Sequence, residues 1–149
     1  MDSILTSIKK LLGIAEEYEH FDPDIIMHIN TVFAVLTQLG AGPSGGFSIT
    51  DKSAVWSDYM KSDTHLEMVK SYMYLKVRLL FDPPLGTASI EAINRQISEL
   101  EWRINVSADD FTDTKRQEYD FELKNLKKDI ETLKQHDILS APLNDGGEL

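Results

Sequence analysis

Apolar residues recur at intervals of three and four along the first hundred positions, the period of a helix, and glycine and proline cluster in the interruptions. Ile4, Leu5, Ile8, Leu11 and Leu12 share one face behind Asp2 or Ser3 as cap, and Gly13 follows as a stop, which predicts a short first helix. Asp22-Pro23 is a helix start, with Asp22 as the cap and Pro23 in the first turn, where a missing N–H costs nothing. The second helix runs from there to Leu39, with Ile25, Ile26, Ile29, Val32, Phe33, Leu36 and Leu39 as a wide buried stripe and Gly40 as its end. Residues 40–53 hold four glycines and a proline and predict a loop. Within it Phe47 and Ile49 alternate with Ser48 and Thr50, as in one short strand or an extended arm whose apolar tips need a partner to cover them. After a helical turn around Trp56 to Lys61, a capping box at Thr64-His65-Leu66-Glu67 opens the third helix. Its core face is Leu66, Val69, Met73, Val77 and Leu80, and Asp82-Pro83-Pro84 stops it. Ile90, Ile93, Ile97, Leu100 and Ile104 mark a fourth helix from about Thr87 to Asn105.

The pattern changes at the polar seam Ser107-Ala108-Asp109-Asp110, taken as a linker. Beyond it Tyr119, Leu123, Leu126, Ile130 and Leu133 step by four, three, four and three through charged sequence, a two-heptad seam on a helix over about 113–135. So short a seam should order only against the body or another chain. Residues 137–149, with Pro142 and Gly146-Gly147, read as a flexible tail. The sequence therefore predicts an all-α protein. Residues 1–108 form a small bundle of about four helices with an extended arm between the second and third, and 109–149 form a C-terminal helical extension.

Composition narrows the function. The 149 residues carry no cysteine, which excludes disulfides and cysteine-built metal sites. Acidic residues outnumber basic ones 25 to 15, for a formal charge of -10, and that opposes a grip on nucleic-acid phosphates. No basic n-region precedes an apolar stretch and no long apolar run occurs, so the expectation is a soluble protein made in the cytoplasm.

Candidate chemistry is sparse. His20, Asp22, Asp24 and His28 fall in one short window and offer ligands for a divalent ion, the basis of an alternative reading as a small metal-dependent enzyme. Helix capping and the helix dipole explain Asp22 and Asp24 equally well. The glycine-rich loop at 40–46 lacks the Gly-Lys-Ser/Thr end of a phosphate cradle, and no nucleophile motif occurs. The expectation is no enzyme, no cofactor and no metal.

Surface stripes point instead to partners. Glu91, Arg95, Glu99 and Arg103 stand four apart with alternating sign, a solvated face or one that sets register against a neighbour. Lys70, Tyr74 and Arg78 form a second stripe, with residue types favoured at interface centres. Phe47, Ile49 and Trp56 around the arm, Leu126 and Ile130 on the seam, and Leu139 and Leu143 in the tail complete the interface candidates. A further alternative is a helical regulatory module that pairs through the C-terminal seam.

Gln38-Leu39-Gly40, Gly42-Pro43, Gly46-Phe47, Trp56, the run Val69 to Pro84 that ends in Phe-Asp-Pro-Pro, and Glu99 to Asn105 with its Leu-Glu-Trp-Arg core together resemble the head-tail connector (adaptor) family of long-tailed bacteriophages. The resemblance covers about residues 1–106, and the segment past 108 has no counterpart in it. It implies a structural virion subunit at the head-tail junction, without catalysis. Such a subunit assembles as a twelve-fold ring beneath the portal protein and continues the DNA channel toward the next neck or tail-completion protein. DNA would pass through without sequence-specific binding, and no membrane is involved. The extension is expected to dock on the portal, with Leu139 and Leu143 as anchors.

Overall fold

The computed structural model describes residues 2–60 and 64–140. Ser3 caps the first helix, α1 (Ile4–Leu11), its hydroxyl accepting from the Thr6 amide. The helix ends as Gly13 turns to φ +79°, where the Gly13 and Ile14 amides donate to the carbonyls of Lys10 and Lys9. The second helix, α2 (Asp22–Gln38), closes in the same way: Gly40 adopts φ +87°, and the Gly40 and Ala41 amides donate to Thr37 and Leu36. A short α3 (Trp56–Tyr59) precedes α4 (Thr64–Phe81), and α5 spans Thr87–Ser140. The fold is all-α. Among the described residues the sole β pairing is an isolated bridge between Ser3 and Val55.

The chain divides into two units, Met1–Asp110 and Phe111–Leu149. In the first, α2 packs on α4 and both contact α1. Ile4, Ile8, Ile25, Ile29, Val32, Phe33, Leu36, Val69, Tyr72, Met73 and Val77 are buried between them, and Ile97 and Ile104 bring α5 onto the same core. Each such side chain removed from water contributes about 1.5–3 kcal/mol, which offsets the ordering of the loops around it. The second unit comprises the rest of α5, and its described side chains are exposed.

Several expectations are corrected. Asp22 is not the cap of α2. The helix starts behind Phe21 with no side-chain cap, and the Asp22 carboxylate instead reaches Lys9 at 2.8 Å. Leu80 is 49% exposed rather than core, because the last turn of α4 packs through Phe81, edge-on to Phe21 at 5.3 Å. Helix four does not end at Asn105. Ser107 to Asp110 are helical, so the seam read as a linker breaks no secondary structure. Helix propensity explains this: none of those four residues is Gly or Pro, and their penalties are tenths of a kcal/mol. The helix placed at about 113–135 is part of α5 and continues to Ser140. Lys61 and the tail from Ala141 onward lie outside the described residues.

Candidate interface

The loop between α2 and α3 is folded back on the body, which corrects the expectation of an exposed arm. Asn30 on α2 holds it: its side-chain amide donates to the Ile49 carbonyl at 2.9 Å and its side-chain carbonyl accepts from the Ile49 amide at 2.8 Å. Both backbone groups of Ile49 are thereby paired without a strand, and its side chain is 2% exposed. Phe47 is half-buried and meets Phe33 and Tyr59 edge-on at ring separations of 5.0 and 5.4 Å. Gly42 lies at φ +76° against Tyr59, where any Cβ would overlap the phenol ring and its hydroxyl. Burial pushes the Tyr59 phenol well above its usual range. Trp56 is 4% exposed, with its indole N–H donating to Ser7 Oγ at 2.9 Å. Ile49 and Trp56 therefore present almost no surface to a neighbour, and Phe47 presents one edge.

The stripe on α4 is partly engaged within the chain. Lys70 pairs with Glu67 at 3.1 Å and stands 5.9 Å from the Trp56 ring centre, while Tyr74 and Arg78 are half-buried. The α5 stripe is fully outside. Glu99 and Arg103 pair at 2.8 Å, Glu91 and Arg95 at 4.0 Å, and all four are exposed. Beside them lies an interface candidate that sequence reasoning missed, Trp102, 65% exposed, with Val106 one turn on. The signal was available: Trp102 falls off the face set by Ile97, Leu100 and Ile104, so its indole had to point away from the core. An exposed tryptophan flanked by charged residues is a typical composition for a contact surface.

Two polar arrangements fix these surfaces and were also missed. Tyr72, fully buried on α4, donates its hydroxyl to Glu101 on α5 at 2.7 Å. Burial first, and the Glu101 carboxylate second, raise its phenol above the usual value. Lys76 approaches the same carboxylate at 3.9 Å. Asn105 donates to the Leu39 carbonyl at the end of α2, and Gly40 lies so close to α5 that a Cβ there would stand 2.8 Å from that of Ala108. The other arrangement is Lys9. Its ammonium is buried and its three donors meet Asp22 at 2.8 Å and the carbonyls of Glu16 and Tyr18, each at 2.9 Å.

The window read as metal ligands is thus occupied otherwise. Asp22 belongs to Lys9, and His20 packs edge-on to Phe21 at 5.1 Å. Among the described residues no group of three or more His, Asp or Glu is placed to share an ion. No described helix is long and apolar enough to cross a membrane. In the second unit Leu126 and Ile130 stand on an exposed line with Tyr119, Leu123 and Leu133. Leu143 lies outside the described residues, as does the side chain of Leu139. Compared with known proteins, residues 4–110 match the family model described as phage connector protein. No curated protein and no solved structure matches the chain.

Proposed function

Since the chain belongs to the phage connector protein family, we propose that it is the head-tail adaptor subunit that forms a ring beneath the portal, continues the DNA channel and joins capsid to tail. The family carries a structural connector role in the phage, at the neck of the virion. The observation that supports the finer reading most is the extent of the match. It begins at the first residue of α1 and ends at Asp110, the last residue of the first unit, so the whole body has the family pattern.

In this reading neighbouring subunits meet through the outer face of α5. Trp102 and Val106 supply apolar contact, and Glu91, Arg95, Glu99 and Arg103 fix the register of one copy against the next. Tyr74 and Arg78 on α4 offer the facing surface. The ring is twelve-fold, and the portal and the next neck protein bind its two ends. The formal charge of -10 suits a channel component, because a wall with few free cations gives passing phosphates little to bind. Such a protein performs no catalysis.

Electron microscopy of purified virions tests the proposal. The expected result is density for this chain as a ring at the single vertex that carries the tail, with Trp102 in the contact between subunits. A chain missing from virions, or spread over the capsid lattice, would overturn it.

A further inference from the structure

Tyr119, Leu123, Leu126, Ile130 and Leu133 lie in one line on α5, and all are exposed, from 45% at Ile130 to 66% at Leu133. The residues between them are mostly charged. Five large apolar groups in a row, held in water, are an unused driving force for association. The line lies beyond the residues that match the connector family, so the ring contacts of the body do not account for it.

We propose that this seam pairs with the same seam on a second copy of the chain, the two helices parallel and in register. Charge selects both the occupant and the direction. With the seam residues in the a and d places of a heptad, Glu122 and Asp129 fall in g places and Lys127 and Lys134 in e places. In a parallel, in-register pair each g residue faces the following e residue of the other helix. Glu122 then meets Lys127 and Asp129 meets Lys134, on both sides of the pair. The antiparallel arrangement that sets Leu126 opposite Ile130 instead puts Lys127 beside its own copy and Asp129 beside its own copy, and these repulsions offset the attraction it gives Asp120 and Lys134.

Packing favours the same partner. Ile130 in an a place with Leu126 and Leu133 in d places is the combination that selects two strands. Tyr119, Glu122, Leu123 and Leu126 line an open groove on this face, the four-residue hole that a partner's Leu123 enters as a knob. Two heptads alone pair weakly, but two features help here. The helix is nucleated far upstream, at Thr87, and copies held side by side in an assembly see one another at millimolar effective concentration.

The chain has no cysteine, so a single substitution reports on the pairing in the full-length protein. A disulfide needs Cα atoms within about 7 Å, so in a glutathione redox buffer Leu126→Cys is expected to give covalent dimers at least ~10-fold faster than Lys128→Cys, which lies on the opposite face. Adding Ile130→Asp to the Leu126→Cys chain should remove that advantage. Direction is tested with Leu133→Cys at the end of the seam: a parallel, in-register pair brings it against its own copy, whereas an overlapped antiparallel pair sets it at least about 15 Å from its copy along the axis. Leu133→Cys is expected to cross-link as readily as Leu126→Cys. Equal cross-linking rates at 126 and 128, or slow cross-linking at 133, overturn the proposal, and neither result depends on where the body sits in the virion.

Discussion

Lys9 carries a charge in a place where charge is costly, and it remains there because every one of its donors is met. The Asp22 carboxylate neutralises it, and the carbonyls of Glu16 and Tyr18 tie the loop between α1 and α2 to the same nitrogen. Removing the carboxylate strands the ammonium, so Asp22→Ala is expected to lower stability by about 2 kcal/mol, read as a lower midpoint in urea denaturation. If Asp22 served as a metal ligand instead, a divalent ion would stabilise the parent and leave the variant unchanged, and if the carboxylate were idle the two midpoints would coincide. Gly42 is constrained twice, by φ +76° and by the ring of Tyr59 against it, whereas a Cβ at Gly45 meets nothing within 4 Å. Gly42→Ala should therefore cost more than the ~1–2 kcal/mol of a left-handed residue alone, and Gly45→Ala should stay near the parent. Equal melting temperatures for the two variants would refute that account.

At the level of elements, the loop from Ala41 to Val55 is held by a side chain instead of a strand partner. Asn30 copies with its amide the two hydrogen bonds that a neighbouring strand would give Ile49. Asn30→Ala is expected to leave the helices in place and release the loop, with faster hydrogen exchange at the Ile49 amide and at its neighbours. Exchange slowed as in the parent would show that packing of Phe47 and Ile49 suffices without Asn30. The α4–α5 contact has a similar character. Tyr72 and Glu101 set the two helices at a polar point inside an apolar contact, which fixes how far α5 is rotated and so which of its residues face outward. Trp102 is outward because Glu101 is turned toward Tyr72, two residues adjacent in sequence being about 100° apart around a helix.

For the whole molecule, the first unit holds the apolar core described here, and the second presents exposed side chains on its part of α5. A chain ending at Asp110 is accordingly expected to fold and to melt within about 3 °C of the full protein, as measured by circular dichroism. A large drop in that temperature would mean that residues 111–149 contribute to the stability of the body. The same truncated chain bears on the seam: self-association that survives truncation belongs to the body, and self-association that is lost belongs to α5 beyond residue 110.

The helix boundaries set by glycine and proline were legible in the amino-acid order because they are local. Gly13 and Gly40 end α1 and α2 through the left-handed turn that only glycine makes cheaply, and Pro83 ends α4 by steric exclusion. The apolar faces of α1 and α2 followed from periodicity for the same reason, except that Leu11, read as part of the α1 face, is 52% exposed, and so did the line from Tyr119 to Leu133. Features that depend on residues distant in sequence were not legible. Asn30 and Ile49 are 19 positions apart, Tyr72 and Glu101 are 29, and Trp56 and Ser7 are 49. Each pairing turns on which polar atom another helix brings within about 3 Å, and spacing along one helix carries no record of that. Hence Phe47 and Ile49 looked like a projecting arm and proved to be lined against α2, while Trp102 was not among the interface candidates and is outside. Local chemistry determined where the helices start and stop and which stripe each one buries. Tertiary contacts decided which of the remaining side chains were left for other molecules, because burial is a property of neighbours.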